Sequence, residues 1–490
     1  MYRPPSKRTQ LLQRISIYTA MSVSVIVLVA ILVFFMLGYQ INRTDGKIEQ
    51  GGLVQFNTQP VGADVKIDGI TLGTRTASRK TMSTGQHFIS MERQGYKAWQ
   101  KSVEVSAGGV LWLTYARLVP NDLTPASVAN FSTVSSTASS PDNKWMAIKE
   151  DPATPMIHLA DLSRDTVEVT NIELPASSYT PASAEKTHSF KLETWNPSSR
   201  FILVRHTYDD TKTEWLVVDA QNVAATKNIT TALGINATKV VFTGNSTSIV
   251  YALVDNTVRK IDLNAATMSG PLVSNVAEFS LFDNATIVYS TLLDPETNMR
   301  SVGYINDGAN KARTIRSYSD NGQVPLHVAI GKYFDDHYVA ISYDTAIEIV
   351  KGSLPRSDAT APSAMTALTT MSIPSGVQHL SILTSGRFVV AQTPTSYVTH
   401  DLELKKTTTT ELKDTTALTR ELRWLDGYTV WNDHGGTLRM YEFDGANQHE
   451  IMPVASGFSV TYSPSAKYLY GINRTDDGKY HLNRVLMILP

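Results

Sequence analysis

Ser183-Ala184-Glu185-Lys186 and Ser319-Asp320-Asn321 are the stretches of this 490-residue chain that spell fragments of a nucleophilic serine site. Such a site needs the serine to open a helix, and a Lys-Thr-Gly strand to face it. Lys-Thr-Gly is absent, β-type runs flank both stretches, and they stand 136 residues apart, so they read as coincidence. No Gly-x-Ser-x-Gly elbow occurs, which leaves a fused serine hydrolase unsupported. The eleven histidines are scattered, with neither His-x-His nor His-Glu-x-x-His spacing for a metal. Asp335-Asp336-His337, the densest polar triplet, is expected in a solvated loop. Asp476-Asp477-Gly478 is expected as a hairpin turn, because no x-Asp-x-Asp ladder continues it into a calcium loop. There is no cysteine, hence no thiol nucleophile, disulfide or lipidated cysteine, and no glycine-rich phosphate cradle. The sequence nominates no catalytic residue, no cofactor-binding residue, no metal ligand and no cofactor. Trp99 and Trp112 have faces on which a sugar could stack, although packing is the expected use of both. His87 is expected to pack beside its strand. Asn-x-Ser/Thr sequons at Asn42, Asn130, Asn228, Asn236, Asn245, Asn284 and Asn473 are what a Ser- and Thr-rich chain produces by chance, and would be surface sites in a glycosylating host.

The elements that would carry any site must hold a large chain. Its length suggests two or three domains, and 42 % hydrophobic residues against 18 % charged supply real cores. The formal net charge of −1 gives no field that would recruit nucleic acid. A secreted eukaryotic chain of this size usually carries disulfides, so the lack of cysteine leans towards bacteria.

No charged residue stands between Arg14 and Arg43. Within that window Ile17 to Gly38 is apolar throughout, and 22 residues at about 1.5 Å each reach about 33 Å, enough for a bilayer core of about 30 Å. Arg3, Lys7, Arg8 and Arg14 precede the run with no acid among them, which predicts an N-terminus held in the cytoplasm and an exported remainder. The run exceeds a signal-peptide core and ends in Phe34-Phe35-Met36-Leu37 rather than small residues, so an uncleaved anchor is expected. Setting aside the four cations of the tail turns the formal −1 into −5 for the remainder, a mildly acidic ectodomain.

Residues 52–118 hold short alternating runs split by turn signals. Ala63 to Ile67 alternates into Asp68-Gly69, a strong two-residue hairpin turn. Thr84-Gly85 opens another strand, and Gly95-Tyr96 breaks it. This patterning predicts a β-sandwich of about 70 residues. Phe56-Asn57-Thr58, Pro60-Val61-Gly62-Ala63, Val65 to Gly69, Gly73, Thr84 to His87, Gly95-Tyr96, Trp99 and Leu118 together resemble the PEGA domain, with Val61 where its naming motif has Glu. The resemblance implies an envelope adhesion or spacer role rather than catalysis.

Residues 121–140 are rich in Ser, Thr, Ala and Pro and read as a linker leading into a new domain. Beyond it a unit recurs, a polar turn followed by an apolar β-type run: Ser139-Ser140-Pro141-Asp142-Asn143-Lys144 before Trp145, Trp195-Asn196-Pro197-Ser198-Ser199-Arg200 before Phe201, Tyr462-Ser463-Pro464-Ser465-Ala466-Lys467 before Tyr468. Looser copies begin near Phe242, Phe282, Gly331, Leu383 and Trp424. The strands recur every 38 to 57 residues, near the ~40–50 of a propeller blade. The turn phrase resembles the WD40-like or TolB-type blade.

The expected fold is therefore an all-β ectodomain, a small β-sandwich plus a seven- or eight-bladed β-propeller, with one N-terminal transmembrane α-helix. The expected order is a basic cytoplasmic tail (1–15), the membrane helix (16–39), a juxtamembrane linker (40–51), the PEGA-like sandwich (52–119), a linker and propeller entry (120–130) and the propeller (131–490). Trp145, Phe201, Val250, Val288, Val339, Val389, Val430 and Leu469 are expected at equivalent buried positions of the blades, and Ser127 to Phe131 is expected to pair with Asn483 to Leu489 and close the ring. The expected function is non-catalytic: a membrane-anchored envelope protein that meets the bilayer through residues 16–39 and envelope proteins or polysaccharide through the propeller. A component of an envelope assembly or secretion complex and a propeller enzyme acting on envelope polysaccharide are the alternatives.

Overall fold

The computed structural model describes residues 7–36, 38–41, 48–244, 246–319, 322–360, 365–373, 376–383, 385–412 and 421–490. Two compact units emerge, Met1–Asp122 and Leu123–Pro490. Among the earlier readings, Arg3, the sequons at Asn42 and Asn245, and Asp320-Asn321 lie outside the described residues.

The first unit opens with a helix, Lys7–Met36, whose stretch Leu11–Phe34 is long and apolar enough to cross a membrane. Large side chains on every face of it, from Leu11 to Val33, are exposed, so it packs no face into a protein core. The helix stops before the expected boundary at residue 39. Gly38 turns the chain at φ +78°, and Tyr39–Ile41 pairs with Ile48–Gln50 in a small ladder.

The sandwich follows. One sheet runs Ser78–Met82, Gly52–Gln59, Val110–Arg117. The other runs Ile70–Arg75, Asp64–Ile67, Gly85–Glu92, Trp99–Val105. The alternation seen in the sequence becomes a core of Val54, Phe56, Val65, Ile89, Met91, Trp99 and Leu113. Asp68 and Gly69 both take positive φ, +49° and +83°, between paired Ile67 and Ile70. That is the twist a two-residue hairpin demands.

The second unit is a closed eight-bladed propeller. Seven four-stranded antiparallel sheets follow in chain order: Ser136–Glu173, His188–Asn228, Ala237–Met268, Val276–Ser319, Leu326–Ser372, His379–Glu411 and Arg423–Pro453. The eighth joins the two ends of the unit. Thr461–Tyr462, Tyr468–Arg474 and Tyr480–Leu486 are completed by Ala126–Phe131, with Ala126 opposite Arg484 and Phe131 opposite Tyr480. The stretch read as a linker and propeller entry thus contributes the outer strand of the last blade. Phe131, Met146, Ile148, Tyr470 and Leu482 share one buried cluster, so apolar burial locks the first blade to the last.

The recurrent turn phrase has a local cause. Ser140 Oγ accepts the Trp145 N–H (2.9 Å) and donates to Asp142 Oδ1 (2.6 Å). Asn196 Oδ1 accepts the N–H groups of Arg200 and Phe201, and Ser463 Oγ accepts that of Tyr468. In each turn a residue at positive φ, Asn143, Ser199 or Ala466, reverses the chain. The strand therefore starts at the fifth residue after the capping side chain. This corrects two of the buried positions: Trp145 and Phe201 are the first residues of their strands and only half-buried. Met146 and Ile202, one step on and facing the other way, sit in the fully buried layer with Val250, Val288, Val339, Val389, Val430 and Leu469.

Candidate binding site

The first strand of each blade is the inner edge of its sheet, and these edges surround the propeller axis. On one side of the axis they leave a cavity of about 500 Å³ between blades 7, 8, 1 and 2. Two sequence features make the room. The inner strand of blade 1 and its flanks, Ser135-Ser136-Thr137-Ala138-Ser139-Ser140, carry nothing larger than threonine. The inner strands of blades 7 and 8, Arg423–Trp424 and Thr461–Tyr462, are two residues long. The wall is polar: Ser135, Ser139, Thr194, Ser459 and Thr461 present hydroxyls, and Lys191, Glu193, Arg423 and Trp424 add charge and one half-buried ring.

Neighbouring blades hold this wall rigidly. Ser136 Oγ accepts the Leu192 N–H (3.0 Å), and Trp195 Nε1 donates to Ala138 O (2.9 Å). Across the closure, Ser459 N donates to Thr137 Oγ1 (2.6 Å) and Thr461 Oγ1 to Asn143 Oδ1 (2.9 Å). Glu193 is the one carboxylate among the described lining residues. Its Oε1 is met by Arg205 Nε at 2.9 Å and by Lys191 Nζ at 3.4 Å.

The inner strands of blades 3 to 6 bring a second polar group to the axis: Lys239, Glu278, His327 and His379. His327 Nδ1 lies 3.3 Å from Glu278 Oε2. That hydrogen bond holds the Glu278 carboxyl below its ordinary range against the opposing effect of burial, helped by the positive fields of His327, Lys239 and His379. Four consecutive inner strands thus meet electrostatically around one carboxylate.

Two further clusters lie between blades 1 and 2 and are sealed from solvent. His206 Nδ1 sits 2.7 Å from Glu214 Oε1, and Glu214 also accepts Thr180 N (2.7 Å) and Thr180 Oγ1 (2.8 Å). The His206 ring stacks on Phe190 at 4.2 Å. Lys149 is wholly buried, donating to Thr154 O, Met156 O and Thr154 Oγ1. A wider depression of about 860 Å³ at the rim of blade 1 is lined by Glu150, Asp151 and Glu173. Its Glu150 is already engaged by Ser132 N (2.7 Å) and His158 Nε2 (3.3 Å).

The residues singled out from the sequence fall elsewhere. Ser183 and Lys186 lie in the loop before blade 2, not on a helix; Ser183 N donates to Asp209 and Lys186 Nζ to Asp210. Ser319 ends the outer strand of blade 4. Asp336 pairs with Lys351 at 2.8 Å, and burial lowers the pKa of His337, half-buried against Phe282. Asp477 Oδ1 accepts from Thr475 Oγ1 and Lys479 N, with Gly478 at φ +84°, closing a hairpin. His87 bridges Asp68 (2.7 Å) and Ser83 O (2.9 Å) inside the sandwich. Trp99 is core, whereas Trp112 is 44 % exposed. Among the described residues no group of three His, Asp or Glu is placed to hold a metal. The axial residues Lys191, Glu193 and Arg423 were not singled out, and Trp424 was read only as the start of a repeat. The available signal was the run of small residues at 135–140, where a strand ordinarily carries β-branched ones.

An apolar helix long enough to cross a membrane, a small sandwich and a propeller support a membrane-anchored envelope protein. The sandwich is the part that can be named: residues 52–120 match the PEGA domain family. No curated protein matches the chain. Among solved structures, an oligogalacturonate lyase in complex with manganese aligns over 74 % of this chain and 99 % of its own, at 12 % identity and a TM-score of 0.41. An oligogalacturonate lyase from Vibrio parahaemolyticus aligns over 74 % and 98 %, at 10 % identity and 0.37. A complex of KlAtg21 with the coiled coil of AgAtg16 aligns over 66 % and 96 %, at 10 % and 0.41. These likenesses carry no assignment; the propeller rests on its own eight four-stranded sheets.

Proposed function

We propose that this chain is held in the membrane with its N-terminus in the cytoplasm, that its PEGA domain spaces the propeller from the bilayer, and that the propeller binds an envelope component in its axial cavity without transforming it. The observation that carries the reading is the cavity wall: hydroxyls, one open tryptophan face and a single carboxylate already bridged by Arg205 and Lys191. Hydrolysis of a glycosidic bond by the usual route takes two free carboxyl groups at a set separation. Binding takes polar convergence in a preformed cavity.

The lack of cysteine makes the test clean, because one introduced cysteine labels one site. A photo-crosslinker on Thr194→Cys, at the cavity, is compared with one on Leu368→Cys, on the outer strand of blade 5. In native membranes, adducts with envelope material are expected from position 194 alone. Adducts from 368 alone would contradict the axial reading. Protease added to intact spheroplasts should digest the propeller, and its protection would contradict the orientation.

A further inference from the structure

We propose that the ligand of the axial cavity is an acidic saccharide, with one sugar ring against Trp424 and an anionic substituent, a carboxylate or its equivalent, at Arg423 and Lys191. This rests on the axial reading above and adds the chemistry of the ligand.

Charge is the first argument. Glu193 is the one acid among the described lining residues, and Arg205 lies directly opposite Lys191 in the ladder of blade 2, where it takes up that acid at 2.9 Å. Lys191 shares the same acid at 3.4 Å, and Arg423, exposed at the cavity, has no ion pair among the described residues, so three cations meet one acid at this wall. A pocket with a surplus of cations and a planar guanidinium favours a carboxylate or sulfate over a neutral group.

The rest of the wall selects within anions. A saccharide offers hydroxyls along its rim and a flat C–H face. Trp424 supplies an aromatic surface for that face, and Ser135, Thr194 and Ser139 supply hydroxyls. Ser139 Oγ is shielded from solvent and has no partner among the described residues, so an incoming hydroxyl would satisfy it. An acidic peptide fits less well. Peptides add to long unpaired strand edges or seat side chains in apolar pockets. Here the edges are two residues long in blades 7 and 8 and four in blade 1, and the eight-residue edge of blade 2 is already engaged, Phe190 N by Pro152 O and Leu192 N by Ser136 Oγ.

The test is calorimetric titration of the full-length protein in detergent with three probes: a uronic-acid trisaccharide, the same trisaccharide with its carboxyl groups reduced to alcohols, and an oligoglutamate peptide. The uronate is expected to bind at least tenfold more tightly than either other probe and to weaken with salt. Arg423→Gln should remove that preference, and Trp424→Ala should weaken both sugars, with melting temperature unchanged in each. Equal binding of the reduced sugar, or tighter binding of the peptide, would overturn the acidic-saccharide inference. If Trp424→Ala abolished that binding, the axial reading would stand. Uronate binding indifferent to both substitutions would overturn the two together. Failure of all three probes would overturn the saccharide, leaving the axial reading to the crosslinking experiment.

Discussion

His206 Nδ1 lies 2.7 Å from Glu214 Oε1, and neither side chain reaches solvent. They stand opposite each other on adjacent strands of blade 2, in the seam against blade 1. Burial alone would raise the carboxyl pKa of Glu214, yet hydrogen bonds from His206, Asn228 and Thr180 bring it below the ordinary carboxylate range. Removing one partner of such a pair strands the other. Glu214→Leu should cost about 3–5 kcal/mol in urea unfolding. The double variant His206→Phe/Glu214→Leu should recover part of that loss, because Phe keeps the stack on Phe190 and leaves no orphaned imidazole. A loss in the double variant equal to the sum of the Glu214→Leu and His206→Phe losses would show that the two residues are not coupled.

Lys149 is the second buried ion of this seam. Desolvation pushes its pKa down to about 8 from 10.5, partly opposed by Asp151 and Glu150. Its folded value lies below its unfolded one, so between the two the unfolded chain holds more protons and stability must rise with pH. Below about 8 the contribution is flat. The difference in unfolding free energy between the native protein and Lys149→Met should therefore shift by about 1–3 kcal/mol in favour of the native protein between pH 7 and pH 10. A difference that does not move with pH would contradict a desolvated ammonium at this position.

The hairpin of the PEGA domain offers a strain test. A Cβ on Gly69 would meet no atom within 4 Å, so crowding is not the constraint; φ of +83° is. Gly69→Val should lower protection of peptides from 52–118 in hydrogen exchange by about 1–2 kcal/mol while leaving the propeller untouched. Unchanged protection would contradict the two-residue turn.

What was legible in the sequence was local. The sandwich showed through alternation and the Asp68-Gly69 turn, and the blades through a phrase whose side chain caps the strand five residues on. Such features need no knowledge of distant residues. The misplacement of Trp145 and Phe201 is a one-residue error: a place just after the polar turn, within an apolar run, suggested burial, while the cap fixes where the strand begins and hence which face each residue takes. The cavity was illegible for the opposite reason. Arg423, Trp424, Thr194 and Ser139 come from three blades, and only ring closure brings blade 7 beside blades 1 and 2. Composition pointed away from the site, since its small residues resemble a linker.

Closure itself makes a prediction. Leu482 is fully buried in the cluster that joins the last blade to the first. Leu482→Ala should cost about 2–5 kcal/mol and lower the melting of the whole propeller as one transition. A transition confined to blade 8, with blades 2 to 6 melting unchanged, would mean that the ring does not fold as a unit.

The central claim is that the working surface of this protein is the propeller axis, and hydrogen-exchange footprinting of the full-length protein in detergent, with and without solubilised envelope material, tests it most directly. Protection is predicted on peptides covering 135–140, 191–194 and 423–425, with the outer strands and the exposed Trp112 face of the PEGA domain unchanged. Protection confined to the outer strands or to residues 110–117, with the axial peptides unaltered, would contradict the account.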